Sequence, residues 1–152
     1  MSYPHYGTDC HEHHGLVRDF GGERPRIVCL CGSTRFKDEI NAVNARLSLE
    51  GKIVISLGLF GHTDMPDVDW TTGGSEVKRM LDDLHKRKID LADGIYVVNP
   101  GGYVGESTRG EIRYAAQNHK GLQFMEPVDA DWLDEVTGME FRGLATIEAV
   151  SQ

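Results

Sequence analysis

The apolar positions change their period several times along the chain, and the changes predict the elements. Residues 26–31 (RIVCLC) form a short continuous apolar run, as in a strand buried on both faces, and Gly32-Ser33-Thr34 ends it. Apolar residues then fall at Phe36, Ile40, Val43, Leu47 and Leu49, a near-helical spacing that Gly51 stops. Residues 52–57 predict a second strand. Residues 58–74 are rich in Gly, Asp, Pro and Thr and carry Phe60, His62 and Trp70. A loop this long inside a compact domain is usually a lid or a binding loop. Ser75 is placed to cap a helix running to about Ala92. Residues 94–99 read as a third strand, 100–105 as a Gly-rich loop and 106 to about 118 as a helix. Residues 122–125 read as a fourth strand and 131–136 as a short helix.

Strands alternating with helices predict an α/β fold, a three-layer Rossmann-like or flavodoxin-like parallel sheet with helices on both faces. Residues 1–24 are polar and rich in Gly and His, and read as a loosely ordered arm. Residues 25–152 read as one domain, long enough for a real core. Ligands of such sheets bind beyond the carboxyl ends of the strands. The loops after the first three strands are therefore where chemistry is expected.

Charge and composition narrow the partners. The 152 residues carry a formal net charge of −8 and no basic stripe, which argues against a nucleic-acid duplex. A free nucleotide stays open, because backbone N–H groups alone hold a phosphate. Of the three cysteines, Cys29 and Cys31 share one face of a strand. They read as reduced, buried thiols in a cytoplasmic protein. No apolar stretch approaches the ~18 residues of a membrane span, and the N-terminus has no signal-peptide core. Cys10-His11-Glu12-His13-His14 is too tightly spaced for a structural zinc site and has no second ligand pair, so adventitious metal is expected there and no native metal or cofactor.

Three stretches carry candidate chemistry. Gly32, Ser33, Thr34 and Arg35 form a Gly-led turn from strand to helix, where free N–H groups, hydroxyls and a guanidinium suit an anion. A plain helix cap explains the same residues equally well. The third loop allows close backbone approach at Gly101, Gly102 and Gly105 and brings Ser107 and Thr108 to a helix start. Glu106 there is an ordinary companion of a helix dipole. Glu111 lies about one turn in, next to the inward-looking Ile112 and Ala115, and its carboxyl faces back toward the strand ends. On the helix before the third strand, His85 and Lys88 lie on or beside the apolar stripe, with Asp82 one turn ahead of His85. A satisfied structural His and a snorkelling Lys is the plainer account.

The two glycine loops together resemble the nucleoside 2-deoxyribosyltransferase superfamily, which includes the 2′-deoxynucleoside 5′-phosphate N-hydrolases. The matching pieces are Cys31-Gly32-Ser33-Thr34-Arg35, Ala92-Asp93 leading into Ile95-Tyr96-Val97-Val98, and Gly110-Glu111-Ile112-Arg113-Tyr114-Ala115 before Lys120-Gly121. They span about residues 26 to 126. The resemblance implies a nucleotide-binding domain, a nucleoside or nucleotide substrate, and cleavage or transfer at its N-glycosidic bond. It puts the nucleophile at Glu111 and the 5′ side of the sugar at Gly105, Glu106, Ser107, Thr108 and Arg109, with Gly32 to Arg35 bordering the nucleotide. The family's tyrosine two before the first-loop cysteine is Cys29 here. Its second acid falls near His85, with Asp82 and Asp90 as alternatives. The resemblance also implies a homo-oligomer, a homodimer or larger; the lack of a long apolar stretch implies no membrane partner. Residues 100–105 and Glu111 resemble, in addition, the phosphate loop of the cytokinin-activating phosphoribohydrolases, which cleave the same bond. A non-catalytic nucleotide sensor is the alternative outside enzymes.

Overall fold

The continuous apolar run becomes β1 (Ile27–Gly32), a central strand whose two faces are both covered. The computed structural model describes residues 20–68 and 76–141 of the chain. After β1 come α1 (Lys37–Leu49), β2 (Ile53–Ile55), the short α2 (Gly61–Asp64), α3 (Glu76–Leu91), β3 (Gly94–Val98), α4 (Glu106–Gln117), β4 (Gly121–Phe124) and α5 (Ala130–Thr137). All strand pairs are parallel and the sheet order is β2-β1-β3-β4. This is the expected three-layer α/β fold.

Alternation along the strands separates two cores. Val28 and Leu30 of β1 join Tyr96 and Val98 of β3 against Ile40, Val43 and Leu47 of α1. Cys29, Cys31, Ile95, Val97 and Phe124 point to the opposite face, where α3 supplies Ile89, α4 supplies Ile112 and Ala115, and α5 supplies Leu133 and Val136. The helix spacing seen in the sequence is this packing: Ile40, Val43 and Leu47 are the buried stripe of α1.

Three elements differ from expectation. β2 is half the expected length, because residues 56 and 57 leave the sheet and the Ser56 carbonyl accepts from Lys88 Nζ at 3.1 Å instead of from a strand neighbour. α1 begins after a 3-10 turn (Thr34–Phe36) that Ser33 caps, its Oγ accepting the Arg35 N–H. The long loop contains α2, where the Phe60 N–H donates to Asp64 Oδ2. The cap at Ser75, the loop residue Trp70, the cluster at residues 10–14 and nearly all of the arm lie outside the described residues.

The amino ends of the strands are held by polar groups. Arg24 forks onto Asp93 at 3.0 and 3.1 Å, and Asp93 Oδ2 also accepts the Ile27 N–H at 2.8 Å. The Arg24 hydrogen bond, with that backbone bond, holds the Asp93 carboxyl down to about 2. Lys120 Nζ donates to the carbonyls of Asp90 and Ala92, closing the end of α3. At the carboxyl end, buried Asn99 accepts the Glu126 N–H and donates to the Glu126 carbonyl, clamping the exits of β3 and β4.

β3 starts at Gly94 for a steric reason. A Cβ there would stand 2.8 Å from the Gly121 carbonyl oxygen of β4. Gly94→Ala is expected to destabilise the fold by about 1–3 kcal/mol, because backbone rather than a movable side chain has to yield. Urea unfolding followed by far-ultraviolet dichroism measures this, and an unchanged midpoint would show slack between β3 and β4.

Candidate functional site

Beyond the carboxyl ends of β1 and β3 lies a cavity of about 520 Å³. That volume is in the usual range for a small-molecule site. Its walls come from the loop after β1, the segment after β2, one face of α3 and the first turns of α4. Gly32 brings two of these walls together: a Cβ at that position would stand 2.9 Å from the Val98 carbonyl oxygen. Leu57, Leu59, Leu81 and Leu84 give an apolar side, and the polar groups converge from Ser33, Thr34, Ser107, Thr108, His85 and Glu111.

Of the residues singled out in the sequence, Gly32, Ser33, Thr34, Gly105, Glu106, Ser107, Thr108, His85 and Glu111 all line the cavity. Three charged candidates stand elsewhere. The Arg35 guanidinium lies 4.3 Å from the centre of the Tyr103 ring, and Arg109 lies over Trp132. Asp90 accepts from the Tyr114 hydroxyl at 2.5 Å and pairs with Arg87 at 3.4 Å, outside the cavity wall. Among the three alternatives for a second acid, His85 and Asp82 border the cavity and Asp90 does not.

Glu111 is placed by α4. The helix starts at Gly105 without a side-chain cap, and Thr108, Ile112 and Ala115 form its buried stripe. Glu111 adjoins that stripe and turns its carboxyl to the cavity floor; its side chain is only 12% exposed. Oε2 has no hydrogen-bond partner among the described residues, and His85 Nε2 stands 3.8 Å away. Burial pushes the Glu111 carboxyl up to about 7, against the opposing pull of His85 and of a hydrogen bond from Cys31.

Beneath this pair lie the two thiols of β1. His85 Nε2 is 3.6 Å from Cys29 Sγ and 3.5 Å from Cys31 Sγ. The hydrogen bond from the Cys31 thiol pulls Cys29 below the ordinary thiol range, while burial lifts Cys31 well above it. Burial opposes protonation of His85, and the hydrogen bond with Cys29 and the Glu111 charge outweigh it, so His85 is raised. The Cys29, Cys31 and His85 donor atoms lie within 4.8 Å of one another.

Lys78 is the main residue that sequence reasoning missed. Its Nζ donates to Asp82 Oδ2 at 2.7 Å and to Ser107 Oγ at 2.9 Å, joining α3 to the start of α4 across the cavity mouth. The i,i+4 spacing of Lys78 and Asp82 was visible in the sequence; the reach to Ser107 needs the tertiary fold. The place of Cys29 and Cys31 under the site was also not foreseen, since their shared face pointed only to burial.

No protein-family model and no curated protein matches the chain. A solved structure of a 2-deoxyribosyltransferase from the psychrotolerant bacterium Bacillus psychrosaccharolyticus is similar over 78% of this chain and 95% of that one, at 16% identity and a TM-score of 0.48. An overlap that loose carries no argument about activity. Among the described residues, no helix is long and apolar enough to cross a membrane.

The raised Glu111 carboxyl has a stability consequence. The folded state binds this proton more tightly than the unfolded chain, so the associated stability is complete below about pH 4.5 and is lost as pH rises through about 7. At pH 8 the ionised, buried carboxyl costs on the order of 3 kcal/mol. The charged and titratable groups around it are His85, Cys29, Cys31 and Asp82. Glu111→Gln is therefore expected to raise the melting temperature at pH 8 and much less at pH 5. Calorimetry of both proteins at the two pH values checks this; equal shifts would mean that the carboxyl titrates as an ordinary one.

Proposed function

We propose that this chain is a member of the nucleoside 2-deoxyribosyltransferase superfamily and cleaves or transfers at the N-glycosidic bond of a (deoxy)nucleoside or its 5′-monophosphate. The observation that carries the reading is Glu111, a nearly buried carboxyl at the floor of a cavity at the strand ends, one oxygen of which has no hydrogen-bond partner among the described residues. A carboxylate in that position is free to attack an anomeric carbon. The C–N bond then breaks, its electron pair leaves with the base, and the base takes up a proton. Water or a second base attacks the glycosyl–Glu111 ester and restores the carboxylate. His85, 3.8 Å away and raised, favours the ionised nucleophile as substrate displaces water. The leucine side of the cavity suits a nucleobase, and the hydroxyl side suits a sugar.

A 5′-phosphate fits the start of α4. The helix has no side-chain cap there, and Ser107 and Lys78 stand at the cavity mouth. Backbone N–H groups and an ammonium suit a dianion. Arg35 and Arg109 are engaged with aromatic rings, so the phosphate end relies on Lys78 and the backbone. Free, buried Cys29 and Cys31 suit a reducing, cytoplasmic setting. A homo-oligomer belongs to the same reading: Val77, Met80, Leu84 and Leu91 are exposed apolar residues at a-and-d-like spacing along α3, and Leu84 also lines the cavity.

Base release from a panel of nucleosides and 5′-monophosphates, followed by chromatography, is the direct test. Glu111→Gln is expected to lower turnover at least ~100-fold with the fold intact; native turnover in a folded variant would remove the assignment. A higher kcat/KM for the monophosphate, reduced in Ser107→Ala, supports the phosphate end, and equal efficiency for both substrates in the unaltered protein ends it. Light scattering is expected to give a dimer or larger, and a monomer mass across a wide concentration range would contradict the oligomer.

A further inference from the structure

The cluster under the nucleophile has more donors than glycosidic chemistry requires. Cys29 and Cys31 come from one face of β1, His85 comes from α3, and Glu111 comes from α4. Both thiols are fully buried, and the imidazole and carboxyl border the cavity, which gives an ion a route in. A zinc ion binds thiolate sulfur at about 2.3 Å and imidazole nitrogen at about 2.0–2.1 Å, and across a tetrahedral angle those bonds set sulfur and nitrogen about 3.6 Å apart. The two measured separations are 3.6 and 3.5 Å. Glu111 Oε2, buried and without a hydrogen-bond partner among the described residues, stands beside this set but outside it. It lies 3.8 Å from His85 Nε2, whereas the two thiols and the imidazole are the donors that come within 4.8 Å of one another among the described residues.

We propose that Cys29, Cys31 and His85 form a binding site for a soft divalent cation of the zinc class, with water from the cavity as the fourth ligand. Two thiolates and an imidazole select such an ion over magnesium or calcium, which prefer all-oxygen shells. On binding, the thiol protons leave to solvent and the two sulfurs neutralise the ion's charge. The ion then takes up the His85 nitrogen that faces the Glu111 carboxyl at 3.8 Å and withdraws it from the nucleophile. The site is therefore inhibitory to the reaction proposed above. That consequence rests on the proposed reaction, whereas the metal site itself does not.

Cobalt(II) is the probe, added to the full chain in a non-chelating reductant. Because residues 10–14 offer other ligands, the titration is run in a background carrying Cys10→Ser, His11→Ala, His13→Ala and His14→Ala. The expected result is one ion per chain, with thiolate-to-cobalt charge transfer and the strong visible bands of a tetrahedral site. Zinc should displace it, and X-ray absorption of the zinc form should show two sulfur neighbours. Cys29→Ser and Cys31→Ser, nearly isosteric and each checked for a native melt, should each weaken binding at least ~100-fold, more than loss of an outer-shell partner does. Octahedral spectra, sulfur-free zinc, or binding that vanishes in the background alone would overturn the site. These readouts need no turnover, so they separate failure of the metal site from failure of the glycosidic reading. If both hold, zinc suppresses base release in the background protein, and Cys31→Ser makes that suppression at least ~100-fold less sensitive to zinc.

Discussion

Side-chain alternation in β1 is the constraint on which the rest depends. A central strand between two helical layers has no solvent face, so each residue is committed to one core or the other. Val28 and Leu30 go to α1, and Cys29 and Cys31 go to the layer of α3 and α4. A shift of one residue would exchange the sets and put bulky aliphatics where His85 and Glu111 now meet the thiols. The register is fixed from both sides, with Cys29 opposite Ile55 of β2 and Ile95 of β3. The small sulfur side chains leave room under the imidazole and carboxyl, and the shielding there raises the Glu111 carboxyl.

Much of this was legible in the sequence because the buried patterns are simple. The α1 stripe and the β1 run each have one period, and both elements lie within a residue or two of their expected bounds. β2 is harder to read, because an edge strand needs few paired residues and Lys88 takes over a carbonyl that pairing would have used. The cavity loops could also be named from their glycines and hydroxyls. Direction could not: Arg35 and Arg109 look like anion ligands in the sequence, yet each is drawn to a ring supplied by a distant part of the chain. Asp90 is similar, since Tyr114 lies 24 positions away and no local pattern announces it.

The short motifs that suggested a family divide by position on the sheet. Asp93 and Lys120 do structural work at the amino ends, joining the segment before β1 to β3 and closing α3. Gly32, Ser33, Thr34 and Glu111 sit at the carboxyl ends and face the cavity. A motif that looks uniform in one dimension thus combines scaffold and chemistry: Glu111 faces the cavity, whereas Lys120, beyond the other end of α4, closes α3.

The split into two cores also bears on how this molecule could change over time. The α1 layer packs Ile40, Val43 and Leu47 against the sheet and takes no part in the cluster of thiols, imidazole and carboxyl. Effects of substitutions there and at the site should be nearly independent, since distant sites without shared partners add. Sequence drift in α1 can accumulate or relieve instability without altering what the cavity holds, whereas repacking of α3 or α4 alters both at once. One layer is a reservoir of neutral variation, and the other is where new specificities would have to be found.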